Sequence, residues 1–289
     1  MSERSYVHGY SESEAKRLSV QAETLNELLY GNTVYPLGSL VLEAGCGVGA
    51  QTSIIATNSP GARIISIDIS GESLAAARKK AIAGKNTGAE HLKCDIFSIP
   101  FAECSFDHIF VCFVLEHLHD PREALVCLLR LLKPGGTMTV IEGDHGSTFF
   151  YPDSQEAKRT IQCLIDLQAA AGGDALLGRR LYPLVTSAGV KDVVVSPRTM
   201  YVDSSDPALV EAFTKGTFTA MVEGAGEEAV SSGMIEQEAW DAGIRGLYRT
   251  AEDDGTFCYT FFKATGRREY DPLSLSEALE YYATLKKAV

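Results

Sequence analysis

Several things are scarce in this chain, and each scarcity excludes something. No run of about 18 apolar residues occurs, so no segment reads as a membrane-spanning helix. Basic residues are short: 26 Lys and Arg stand against 38 Asp and Glu, for a formal net charge of -12. A broad nucleic-acid surface needs clustered Lys and Arg, and docking on an anionic membrane needs the same. Neither partner is expected. The seven cysteines form no CxxC pair and are odd in number, so neither a disulfide framework nor a zinc site is indicated, and no metal is expected. They read as small buried hydrophobes in a reducing compartment. The first residues, Met1-Ser-Glu-Arg-Ser-Tyr-Val-His8, lack the apolar core of a secretory signal. A cytoplasmic protein is the expectation.

What is present is ordinary globular material: 289 residues, 45% hydrophobic and 22% charged. A chain of this length buries about 75% of its unfolded surface and needs no staples. Short apolar runs alternate with helical patterns. Leu18, Ala22, Leu25 and Leu29 recur at helical spacing within 11–30. Strands are expected at 39–44, 63–69, 91–95, 106–114 and 137–142, with helices over 51–57, 72–84 and 121–132 between them. The Lys133-Pro134-Gly135-Gly136 run reads as a helix stop and turn. Beyond 142, helical patterns over 153–188 and 207–249 surround strands at 191–202 and 255–263. Strand and helix in this alternation mean βαβ units and an α/β, doubly wound, seven-stranded, mostly parallel sheet. Such sheets bind ligands beyond the carboxyl ends of their strands.

The first strand enters Leu42-Glu43-Ala44-Gly45-Cys46-Gly47-Val48-Gly49-Ala50. Glycines there let a ligand approach the backbone, and the following helix offers unpaired amides. Gly45-x-Gly47-x-x-Ala50 also fits a dinucleotide fingerprint, and Asp68 at the end of strand two suits either kind of cofactor. Three features separate the rivals. Glu43 lies inside the strand, where a buried carboxylate must be repaid by holding a ligand cation or the loop amides. Cys94-Asp95-Ile96 closes strand three with an acid and an apolar neighbour suited to an adenine edge and face. Phe113-Val114-Leu115-Glu116-His117-Leu118 follows strand four, where carbonyls can accept from an ammonium.

Taken in order, Glu43-x-Gly45-x-Gly47-x-Gly49, Asp68, Cys94-Asp95, Phe106-Asp107 through Leu115-Glu116-His117-Leu118, and Leu132-Lys133-Pro134-Gly135-Gly136 resemble the class I S-adenosylmethionine-dependent methyltransferases. Within them the likeness is to the ubiquinone/menaquinone-biosynthesis type and related small-molecule enzymes, strongly over 39–142 and in outline elsewhere. The resemblance implies S-adenosyl-L-methionine as cofactor, with Gly45, Gly47 and Gly49 at its methionine part and Glu43 below them. Asp68 would accept from the ribose hydroxyls and Ile69 would flank the adenine. Asp95 and Ile96 would hold the adenine amino edge, and Phe113 or Val114 would meet the ammonium through the backbone. Gln51 is a further polar contact, and His117 orients the loop after strand four. A lid helix is implied over 1–35, with Tyr10, Arg17 and Gln21 on one stripe and the Arg17 fork on the cofactor carboxylate. The methyltransferase domain then runs over 36–265, with a helical acceptor-side insertion at about 204–250, and 266–289 is an appendage.

Methyl transfer is an in-line displacement, so the protein chiefly aligns a nucleophile. Oxygen and carbon nucleophiles gain from a base, and the candidates at the strand ends are His117, Glu142, Asp144 and His145. His145 is the favoured base or acceptor-orienting group. The expected acceptor is a small molecule, and the expected state a monomer or homodimer. Two other classes stay in view: a cofactor-binding protein of this fold without methyl transfer, and an NAD oxidoreductase, which Glu43 and Asp95 disfavour.

Overall fold

A computed structural model of the chain describes residues 12–83 and 89–270. Among them five strands lie parallel: β1 (Leu40–Ala44), β2 (Arg63–Asp68), β3 (Ala89–Lys93), β4 (Phe106–Cys112) and β5 (Leu132–Gly143), side by side in the order β3-β2-β1-β4-β5. Three further strands extend the sheet through antiparallel pairings on the last of them, namely β6 (Phe149–Tyr151), β7 (Lys191–Asp203) and β8 (Thr256–Arg267) itself. β8 pairs with β5 through Thr137↔Arg267 to Gly143↔Phe261 and with β7 on its other edge. β6 continues the line of β5 along the start of β8. The seven strands read from the sequence are all present, and three-residue β6 makes an eighth.

The helices cover both faces. They are α1 (Glu12–Thr24), α2 (Ala50–Asn58), α3 (Gly71–Ala83), α4 (Pro121–Leu131), α5 (Gln155–Ala170) and α6 (Leu181–Ser187). α4 shows why local sequence sets them: Asp120 caps it by accepting from the Glu123 amide, Pro121 needs no donor at the first turn, and Ala124, Leu125, Leu128 and Leu131 bury one stripe. Strand alternation divides the core in two. Ile109 and Val111 of β4 face Leu42, Leu125, Leu128 and Val140, whereas Phe110 and Cys112 face Tyr30, Ile55, Phe213 and Phe257. Glu43 shares the second face with Val41, toward α2.

The N-terminal helix continues through a wider turn at Asn26–Tyr30, where Leu29 and Tyr30 are buried. α1 packs on α2 and on a π-helical stretch, Val210–Thr219, which lies between α7 (Pro207–Leu209) and α8 (Ala220–Glu223). α9 (Gly226–Ser231) and α10 (Gln237–Arg249) complete this insertion, and α10 packs along α5. The N-terminal helix and the insertion therefore meet. Residues 1–11, Tyr10 among them, and residues 271–289 lie outside the described residues, and with them the start of the expected lid and most of the appendage.

Two expectations are corrected. Lys133-Pro134-Gly135-Gly136 does follow the end of α4 at Leu131, but it is a bulge within β5 and not a turn before the strand, since Phe106 pairs with Leu132 and His108 with Thr137. Arg268 makes the bulge possible: its amide donates to the Gly136 carbonyl, its carbonyl accepts from Gly135, and its Nη1 reaches the carbonyls of Arg130 and Leu132. The helix read over 153–188 is broken after Ala170. Gly172 takes φ +87°, and the Asp174 amide donates instead to the Glu116 carbonyl at 2.7 Å. No helix among the described residues is long and apolar enough to cross a membrane.

Candidate functional site

β1 is the switch point of the sheet, because its neighbours β2 and β4 carry the chain in opposite directions from it. The loop after β1 holds three left-handed glycines, Gly45 (φ +77°), Gly47 (φ +51°) and Gly49 (φ +70°). They serve different ends. A Cβ on Gly45 would lie 2.4 Å from Val114, and one on Gly49 would lie 3.0 Å from Ala77 of α3, so both permit close packing. A Cβ on Gly47 would meet nothing within 4 Å. That glycine faces open space at the crevice.

Asp68 anchors this loop. Its Oδ2 accepts from the Gly47 amide and its Oδ1 from the Ser70 amide, both at 2.8 Å. Burial pushes its carboxyl up, and these amides pull it back. Each oxygen keeps further lone pairs for a ligand hydroxyl. Next to it Ile69 stays 47% exposed, an apolar surface at the crevice rim. Asp95 caps the turn Ile96–Ser98 by accepting from the Phe97 amide at 3.0 Å, and Ile96 is buried behind it.

Glu43 is only 2% exposed, and its Oε2 accepts from the hydroxyls of Thr52 and Ser66, each at 2.6 Å. Burial pushes it up to about 7 against those two hydrogen bonds. The partners shown are thus side-chain hydroxyls of α2 and β2. Gln51 reaches the buried Tyr30 hydroxyl, which also meets Cys112 Sγ at 3.5 Å.

After β4 the chain turns sharply. Phe113 takes φ +57°, unusual for a bulky residue, with its amide held by the Ile141 carbonyl at 2.9 Å. The next two amides, of Val114 and Leu115, both donate to Glu142 Oε1, at 3.1 and 2.8 Å. The Val114 carbonyl accepts from the His117 amide. Glu116 follows, its Oε1 3.5 Å from His117 Nε2. Glu142 and Glu116 are both buried, and their second oxygens have no hydrogen-bond partner. Burial and mutual repulsion push Glu142 well above the usual carboxylate range, and burial pushes Glu116 up to about 7.

His145 sits beside this pair, buried, with Nδ1 2.8 Å from the Tyr259 hydroxyl. Burial, with help from His117 and Arg17, pulls the imidazole down to about 3, so it is neutral near pH 7. Asp144 accepts from the Gly146 amide at 3.1 Å and from a two-pronged Arg179 at 2.7 and 2.8 Å. Arg180 pairs with Asp174. Arg17 gives its fork to Glu14, at 2.6 and 2.7 Å, and its Nη1 to Gln21 at 2.9 Å. The fork assigned to a cofactor carboxylate is thus engaged within α1, where spacing of three residues brings Glu14 under the guanidinium. Tyr259 and the orphaned oxygens carry no sequence signal, because they depend on β8 returning beside β5.

Sheet order, glycine loop and strand-end acids together define a class I methyltransferase fold. Residues 42–140 match the family described as a methyltransferase domain. A 37.1 kDa protein of transposon TN4556 from Streptomyces fradiae is 31% identical over 202 residues, 68% of this chain and 54% of that protein. The demethylmenaquinone methyltransferase of Thermus thermophilus is 27% identical over 161 residues, 46% of this chain and 73% of that enzyme. The match thus spans about half the length of the transposon protein. Among solved structures, the 4+2 cyclase SpnF superposes with a TM-score of 0.53 at 19% identity, over 88% of this chain and 82% of that one. Haemonchus contortus phosphoethanolamine N-methyltransferase 2, solved with S-adenosylhomocysteine, gives 0.53 at 19% over 86% and 52%. These two likenesses are of fold.

Proposed function

We propose that this protein transfers a methyl group from S-adenosylmethionine to a small-molecule acceptor. One observation carries the site: Gly47 faces open space while its amide is tied to Asp68 at the switch point of the sheet. The cofactor's methionine part lies along Gly45, Gly47 and Gly49. Asp68 receives the ribose hydroxyls, and Ile69 with Ile96 flanks the adenine, whose amino edge meets Asp95. The carbonyl of Phe113 or Val114 receives the ammonium, with Arg17, Gln21, Gln51 and His117 around that end. The bound cofactor supplies an electrophilic methyl group, and the chain's share of the work is to orient the acceptor and exclude water. His145, neutral and steadied by Tyr259, orients the acceptor, since an imidazole held at about 3 is a weak base near pH 7. The lid over 1–35, the domain over 36–265 and the acceptor-side insertion follow the same reading.

Isothermal titration with S-adenosylmethionine and with NAD tests the cofactor. Binding of the first alone is expected. Asp68→Ala should weaken it by about 1–3 kcal/mol through lost hydrogen bonds. Gly47→Val should abolish it in a folded protein, by filling the open space. Unchanged affinity in both variants would refute the placement. Transfer of labelled methyl into a metabolite extract separates turnover from binding without transfer.

A further inference from the structure

The fold leaves two atoms at the ends of β4 and β5 without a purpose. Oε2 of Glu116 and Oε2 of Glu142 are buried and accept nothing. Buried acceptors in that state are rare, and each costs about 1–3 kcal/mol, more when charged. The two carboxyls belong to one place. Glu142 Oε1 holds the amides of Val114 and Leu115, and Glu116 is the next residue. Val114 packs against Gly45, so the pair lies beside the glycine loop. On the other side, Tyr259 Oη is so close to Gly143 that a Cβ there would lie 2.3 Å away.

The cations near this pair have other partners as well, although the Gln168 side chain and the Arg17 guanidinium both still favour the charged form of Glu116. Arg17 is bound to Glu14, Arg179 to Asp144 and Arg180 to Asp174. His145 is neutral near pH 7 and bonded to Tyr259. His117 Nε2 stands 3.5 Å from Glu116 Oε1, the oxygen that is not orphaned. Burial disfavours the charged forms of both carboxyls, with mutual repulsion adding to it at Glu142, and a cation seated between them would reverse that.

We propose that Glu116 and Glu142 form the acceptor site and that the acceptor is a protonated amine. This rests on the methyl-transfer reading above and names its substrate class. The ammonium N–H groups donate to the two orphaned oxygens, which supplies the missing partners and the missing countercharge together. A proton then passes from the ammonium nitrogen to Glu116: an N–H bond breaks, an O–H bond forms, and the nitrogen keeps its electron pair as a neutral nucleophile. No oxidant or reductant enters. Glu116, held at about 7, suits that transfer, and Glu142 steadies the remaining N–H. A neutral hydroxyl acceptor offers the hydrogen bonds but leaves the charge uncompensated.

The test uses the full chain, methyl-labelled S-adenosylmethionine and a metabolite extract separated on a cation exchanger into cationic, neutral and anionic fractions. Label is expected in the cationic fraction, at least tenfold above the others. Glu116→Gln should then lower kcat/KM for the labelled amine at least tenfold while cofactor affinity, read by calorimetry, stays within twofold. Glu142→Gln, which keeps an oxygen for both amides, should raise KM for that amine. Label confined to neutral or anionic products overturns the amine but leaves methyl transfer standing, as does full activity in both variants. No label in any fraction, with the cofactor bound, overturns both, whereas failure to bind the cofactor identifies an error in the cofactor site itself.

Discussion

Glu43→Gln isolates the energetics of the carboxylate beneath the glycine loop. Glu43 is buried in β1 and receives two short hydrogen bonds from Thr52 and Ser66. An amide oxygen accepts both equally well. The carboxyl rises from 4.5 to about 7 on folding, because burial disfavours its charged form. At about 1.4 kcal/mol per pH unit, ionised Glu43 costs the native state about 3 kcal/mol. Since the native value is the higher one, the stability from this group is complete below pH 4.5 and is lost as pH rises through 7. About 2 kcal/mol of that loss falls between pH 5.5 and 8.5. Urea unfolding of both proteins at these two pH values measures it. The other buried acids, Glu116 and Glu142, are common to both proteins and drop out of the difference. The variant should gain about 2 kcal/mol on the wild type between the acid and alkaline conditions. A stability difference that is the same at both pH values would refute the reasoning.

Gly45→Ala places a methyl 2.4 Å from Val114 at φ +77°, and should cost about 2–3 kcal/mol, seen as a lower Tm. Gly47→Ala, with open space around it, should cost only about 1 kcal/mol at φ +51°, and equal losses at the two positions would contradict the division of labour in the loop. Lys263→Met removes the buried ammonium that holds the Leu29 carbonyl, Asn32 and Thr33. A loss of about 1–3 kcal/mol is expected, with faster trypsin cleavage near Arg17 as the N-terminal helix loosens. Unaltered cleavage would show that Lys263 does not hold that helix.

How far the sequence could be read follows from the range over which each feature is decided. The five parallel strands and α4 carry their own patterns and caps, so Phe106–Cys112 and Pro121–Leu131 were legible locally. The Lys133–Gly136 bulge was not, because Arg268, just past β8 and more than 130 residues later, pairs with Gly135 and Gly136 and holds the Leu132 carbonyl beside them. The long helix over 153–188 misread a pattern that tertiary contact overrides: the Glu116 carbonyl takes the Asp174 amide and the Gln168 side chain. At the site, the glycine loop and Asp68 stood out because one short segment carries the geometry. Arg17 was legible as a helix-face cation, but its spacing to Glu14 also gives it a partner on its own helix. The orphaned oxygens of Glu116 and Glu142 are visible only once every donor around them has been counted.

β8 has a consequence for how the protein is made. It is the partner of β7 along nearly all of that strand, it flanks β5, and through Lys263 it fastens the turn at Leu29–Thr33. A nascent chain that has reached only Thr250 on the ribosome therefore has two raw sheet edges and an unmoored front end. Until β8 emerges, such an intermediate is a target for chaperones and for aggregation, and its arrival joins β5, β7 and the turn at 29–33 late in folding.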